Sequence, residues 1–191
     1  MKRIGVLGDI GSGKSYIAKK FGFPVFNADL EVGKIYLRNR KVFKKLNKIL
    51  PNHFFQFPIK KDTVIKAILS NKSNLKKIIK VVHLEVKKKL NLFQKKNKNK
   101  KFILLDIPLM LENKIYRKSD ILIFIKSDKK EILKRLKIRE GYNPKLYQKF
   151  KKIQLSLDFK KKKSNYIIKN NFSKKSVKKQ VKNIIKSLNN E

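Results

Sequence analysis

Residues 8 to 15 read GDIGSGKS, and the run before them, RIGVL at 3 to 7, is apolar and leads into Gly8. Gly8, Gly13, Lys14 and Ser15 satisfy the pattern G-x-x-x-x-G-K-[ST]. Glycines at those places let the chain turn with its N–H groups facing one small volume, while the ammonium and hydroxyl add a cation and a metal-seeking oxygen. Beyond the loop, Ile17, Ala18 and Phe21 fall at helical spacing. Strand, loop and helix in that order surround phosphate oxygens with backbone donors. Lys14 then lies along the β and γ phosphates of a nucleotide, and the Ser15 hydroxyl holds Mg²⁺. The whole turn, comprising Gly8, Asp9, Ile10, Gly11, Ser12, Gly13, Lys14, Ser15 and Tyr16, is the candidate nucleotide-binding segment.

Working outward, FPVFNAD predicts a second strand at 24 to 27 with Ala28 and Asp29 at its carboxyl end, followed by a helix from about Leu30. Further apolar runs predict strands at 102 to 106 (FILLD), 121 to 125 (ILIFI) and 166 to 168 (YII). Continuous apolar strands suit a parallel sheet covered on both faces. Asn74 to Leu92 is amphipathic, with Leu75, Ile78, Ile79, Val82, Val86 and Leu90 on one side. Asp128, with Glu131 three residues on, opens a helix EILKRLKIRE, and Ser173 opens the last helix. The runs at 94 to 101 and 160 to 163 read as solvated lysines at helix ends or in loops. The alternation gives a three-layer α/β fold around a parallel sheet of about five strands, within a single domain spanning residues 1–191.

Composition narrows the function classes. Hydrophobic residues make up 41% of the chain, enough to fold, and the absence of cysteine excludes a disulfide scaffold, thiolate catalysis and a Cys zinc site. The N-terminus lacks the apolar core of a signal peptide, and no stretch approaches a membrane span, so a soluble cytoplasmic protein with no membrane partner is expected. The 52 Lys and Arg against 13 Asp and Glu give a formal charge of +39. That excess is mostly Lys, spread through every segment, and it comes with abundant Ile and Asn, the texture of a coding bias. Arg, the residue suited to bidentate phosphate and base contacts, is scarce, so nucleic acid is expected to bind at most weakly and without specificity.

Among phosphate-loop classes, a GTPase would carry N-K-x-D, and neither NKIL at 47 to 50 nor NKIY at 113 to 116 has the Asp. A remodelling ATPase shows Asp-Glu after an apolar strand, whereas FILLD is followed by Ile107. The size of the chain and the carboxylate of Asp29 point to a small-molecule kinase with ATP as its cosubstrate, in which Asp29 orients an acceptor hydroxyl and takes its proton. A helix cap is the alternative reading of Asp29. Asp106, after the third strand, is a weaker candidate to support Mg²⁺ through water.

IGVLGDIGSGKS, FNAD, VVHLEV, DIPLMLEN, LKRLKIRE, IQ and SNYIIKNN follow one another in an order and spacing that resemble the dephospho-CoA kinase family over nearly the whole chain. The resemblance implies transfer of phosphate from MgATP to the ribose 3′-hydroxyl of dephospho-CoA. It implies that Asp29 is the catalytic carboxylate, that His83, Pro108, Leu109 and Glu112 shape the acceptor site, and that residues 30 to 98 form a helical acceptor-binding region. It also implies a lid at 135 to 165 from which Arg135 and Arg139 reach the ATP phosphates, Arg139 with a catalytic role, and a place for Asn170 at the nucleotide. On the residues alone, His83 also reads as a packing residue, Pro108 to Glu112 as a strand exit and helix start, and Arg135 and Arg139 as neighbours on one helix face pairing with Glu131 or Glu140.

The chain departs from the family's pattern at several points. Asp9 replaces a Gly and brings a negative charge into the loop, adverse to phosphate if it points inward and harmless if it points outward. Tyr16, Leu84 and Phe172 stand where Thr, Pro and Gly are usual, and Gly33 where an Arg is usual, with Lys34 adjacent. The change at Gly33 puts acceptor affinity in question.

Overall fold

In the computed structural model, which describes residues 1 to 190, the apolar runs form strands β1 (Lys2–Gly8), β2 (Val25–Asn27), β3 (Phe102–Asp106), β4 (Ile121–Ser127) and β5 (Tyr166–Asn170). They make one sheet in the order β2-β3-β1-β4-β5, and every neighbouring pair is parallel. The middle strands are buried on both faces, which is why they read as unbroken apolar runs. With all strands parallel, their carboxyl ends share one edge of the sheet. β1 lies at the centre, with β3 on one side and β4 on the other, so the loop leaving it opens at the switch point where ligands of such sheets gather.

The chain divides into two compact units, Met1–Asn27 with the chain from Asn97 onward, and Ala28–Lys96. In the first unit α1 (Lys14–Lys20) and α9 (Lys174–Asn190) cover one face of the sheet. Ile17, Ala18, Val177, Val181, Ile184 and Leu188 meet Ile4, Val6, Phe102, Leu104, Ile123, Ile125 and Ile168 in one cluster. Here the helical period of the covering elements meets the two-residue period of the strands. On the opposite face the Met110 side chain fills the space that a Cβ at Gly5 would take, and α8 (Leu157–Lys162) lies against β1. Between β4 and α8 come α6 (Lys129–Lys137) and α7 (Pro144–Lys152). Asp128 Oδ1 caps α6 by accepting from the N–H groups of Lys130 and Glu131, at 2.8 and 3.1 Å. Asn143 caps α7, accepting from Leu146 N at 2.9 Å, with Pro144 at the first helical position.

The second unit is helical: α2 (Ala28–Arg38), α3 (Arg40–Ile49), α4 (Lys61–Ser70) and α5 (Asn74–Lys96). Leu75, Ile78, Val82, Val86 and Leu90 form the buried stripe of α5, and α2, α3 and α4 all pack on that helix. Val42, Leu46, Phe54 and Ile68 complete the core.

Four expectations are corrected. The helix expected from about Leu30 begins at Ala28, so Asp29, two residues past β2, stands in the first turn of α2. A carboxylate is favoured there by the partial positive charge of the helix start. The helix opened by Asp128 stops at Lys137, with Ile138 as its C-cap and Gly141 at φ 71° soon after, so Arg135 and Arg139 do not share a helix face. Residues 108 to 114 are successive turns ending on Lys114 at φ 51°, rather than a helix start. Lys160, read as part of a solvated run, is 1% exposed and ion-paired.

Candidate active site

The loop between β1 and α1 is held from the side of β4 and β5. Asn170 Nδ2, at the end of β5, donates to Ser12 O at 2.9 Å, and Ser127 Oγ, at the end of β4, donates to the same carbonyl at 3.0 Å. Gly13 adopts φ 87°, and a Cβ there would come within 2.6 Å of Asn170 Nδ2, so both the backbone and the close approach require glycine. Gly13 caps α1 without a side-chain acceptor, leaving the first-turn N–H groups to face an anion. The structure therefore gives Asn170 a place in shaping the loop.

Lys14 is buried, and its Nζ donates to Asp9 O at 2.6 Å and to Gly8 O at 3.4 Å. The ammonium thus rests on the loop's own carbonyls at the mouth of the turn. Ser15 and Tyr16 are exposed at the start of α1, with Lys20 Nζ 5.0 Å from the Tyr16 ring centroid. Asp9 points inward and is 6% exposed. Its Oδ1 accepts from Ile10 N at 2.7 Å and from Lys151 Nζ of α7 at 2.6 Å. Of the two orientations left open by the sequence, the buried one holds, and a lysine neutralises it. Nothing in the sequence singles out Lys151 from the other lysines between 145 and 152. Asp9 also pushes up the pKa of Tyr147, one turn earlier on α7, after the larger effect of that phenol's own burial.

At the carboxyl ends of β2 and β3, Asn27 and Asp106 sit in register, and Asn27 Nδ2 donates to Asp106 Oδ2 at 2.6 Å. Asp106 is 2% exposed. Among the described residues no three His, Cys, Asp or Glu side chains cluster to hold a metal ion. The exposed Ser15 hydroxyl at the start of α1 is an oxygen that could serve as a Mg²⁺ ligand beside a nucleotide.

Arg135 and Arg139 are exposed, and among the described residues neither forms an ion pair with Glu131 or Glu140. Instead the Arg135 guanidinium lies 4.1 Å from the centroid of the Phe172 ring. Phe172 holds φ 62°, the conformation that makes Gly the usual residue, and its N–H donates to Asn170 Oδ1 at 2.9 Å. The ring thus supplies a platform that glycine would lack.

Pro108 and Leu109 are half-buried in the turns after β3. Glu112 Oε1 pairs with Lys160 Nζ at 2.8 Å and accepts from Leu155 N at 3.0 Å, while its Oε2 is buried without a partner. Leu111, Glu112, Tyr116, Leu155 and Phe159 line an open cavity of about 460 Å³. In the helical unit His83 is half-buried on α5 with Nε2 unpartnered. Burial lowers its pKa, and the charge of Lys87 lowers it further. Asp29 is exposed.

Residues 2 to 176 match the family model described as dephospho-CoA kinase. The dephospho-CoA kinase of Wolbachia pipientis wMel is 34% identical over 97% of each chain. A solved Thermus thermophilus protein superposes with a TM-score of 0.77 at 21% identity, covering 97% of this chain and 96% of that one. The dephospho-CoA kinase from Campylobacter jejuni gives 0.65 at 24% identity, covering 98% and 97%.

Proposed function

The chain belongs to the dephospho-CoA kinase family, and from that premise we propose that it transfers the γ-phosphoryl group of ATP to the ribose 3′-hydroxyl of dephospho-CoA, giving coenzyme A. The observation that carries this reading is the loop at 8 to 15, with Gly13 fixed against Asn170 and Lys14 buried at its mouth. Arriving phosphate oxygens replace the carbonyl partners of Lys14 and take the N–H groups of the loop, a gain in charge-assisted hydrogen bonds. The Ser15 hydroxyl would hold Mg²⁺, which would supply charge neutralisation at the phosphates.

In this proposal Asp29 accepts the hydrogen bond of the 3′-hydroxyl, aims its oxygen at the γ-phosphorus and takes its proton as the new bond forms. Arg135, steadied on the Phe172 ring, and Arg139, on the turn after α6, are the cations that follow the migrating negative charge. Residues 135 to 165 act as a lid that excludes water, residues 30 to 98 are an acceptor-binding region, and Pro108, Leu109 and Glu112 are acceptor-binding residues. His83 is the contribution of α5 to that acceptor surface. The dispersed lysines give at most weak, salt-sensitive, sequence-indifferent association with nucleic acid.

The test is a coupled ADP-release assay with MgATP and a panel of dephospho-CoA, adenosine, pantothenate and gluconate. Dephospho-CoA is expected to be the preferred acceptor. Turnover of another member with dephospho-CoA ignored would replace the acceptor while leaving a phosphate-loop kinase.

A further inference from the structure

Asp9 occupies a loop that has to receive a polyanion, and its carboxylate is buried within that loop. The burial is possible because the charge is matched. Lys151 reaches across from α7 to Asp9 Oδ1 at 2.6 Å, with a side chain 34% exposed against 8% for Asp9. Asp9 is also tied to the other cation of the site, since its backbone oxygen accepts from Lys14 Nζ at 2.6 Å. Without Lys151 the loop would hold a buried, uncompensated negative charge beside the position of the phosphates, and the Lys14 ammonium, already bonded to the Asp9 backbone, would be a cation to offset it. An ammonium drawn toward a carboxylate is less available to a phosphate.

We propose that Lys151 is a positioning residue for the kinase reaction. By neutralising Asp9 it makes a loop with an internal carboxylate competent to bind MgATP, and it ties α7 to the loop while doing so. Its action on the nucleotide passes through Asp9 and involves no phosphate contact of its own. The proposal rests on the reading that residues 8 to 15 hold the nucleotide.

The experiment is a double-mutant cycle read by calorimetric MgATP binding, with no acceptor present. K151M is chosen to keep the aliphatic stem and D9N to keep the acceptor for Ile10 N–H while removing the charge. In the parent background K151M is expected to weaken MgATP by about tenfold, within the range of couplings between residues in direct contact. In the D9N background the same change is expected to cost less than about twofold, because there is no longer a charge to neutralise. K151R, which restores a cation, should keep most of the parent affinity. Melting temperatures without nucleotide identify any variant that loses MgATP by unfolding, and K151R then carries the test. An equal loss in both backgrounds would overturn the proposal by showing that Lys151 meets the phosphates directly. So would undiminished affinity in K151M or a K151R variant as weak as K151M. Failure of the folded parent to bind MgATP would instead strike the nucleotide-site reading itself.

Discussion

Asp29 and Lys160 are two charged side chains in opposite environments, one exposed and one buried. Asp29 is exposed in the first turn of α2, two residues beyond β2, where it is accessible to a hydroxyl. Asp29→Asn keeps the size and can still orient an oxygen, but cannot take a proton. It is expected to lower kcat by about 10² to 10⁴, the range for a positioned general base, with MgATP affinity retained. Single-turnover phosphorylation of dephospho-CoA measures the first and calorimetry the second. A near-parent rate would reduce Asp29 to a helix-start carboxylate. Lys160 is 1% exposed and its partner Glu112 has a side chain 9% exposed, so removing one charge strands the other in the interior. Lys160→Met is expected to cost about 3 to 5 kcal/mol in chemical denaturation. K160M/E112Q should recover much of that, because the amide still accepts from Leu155 N and carries no charge. Equal stability of Lys160→Met and parent would mean that the pair is solvated after all.

At the scale of elements, the continuous apolar strands and the five-residue run FILLD were legible because burial on both faces leaves little room for polar residues. The caps at Asp128 and Ser173 were legible because they are local, each side-chain oxygen meeting an N–H two or three residues on. The end of α6 was not, since LKRLKIRE continues in helical spacing and only the turn before Gly141 stops it. The burial of Lys160 was not, since the sequence does not show that α8 lies on the sheet with Glu112 opposite. The same holds for the Asp9–Lys151 pair, whose members lie 142 residues apart. For α5, the lowered pKa of His83 carries a pH dependence. The folded chain binds this proton less readily than the unfolded chain, whose His titrates near 6.5, so stability is lost as pH falls below that value toward the folded pKa. His83→Asn is expected to lose less melting temperature between about pH 7 and pH 5 than the parent does. An equal or steeper acid loss in the mutant would show that His83 does not contribute to it.

Over the whole molecule, the charge of +39 is spread through every segment of the chain. A central parallel strand releases the loop that carries Gly13, Lys14 and Ser15, and most of the lysines lie outside that loop. Among the described residues no helix is long and apolar enough to cross a membrane. Four of the motifs sit at element boundaries of this fold, the loop after β1, the acid after β2, the turns after β3 and the amide ending β5, whereas VVHLEV lies inside α5. The most direct measurement of the central claim is a reaction of excess enzyme with ATP labelled in the γ-phosphate and dephospho-CoA, with the product resolved and its phosphate located. The label is expected in coenzyme A on the ribose 3′-oxygen, formed in proportion to the ADP released. Label released only as inorganic phosphate, or retained in ATP while dephospho-CoA is bound, would contradict it.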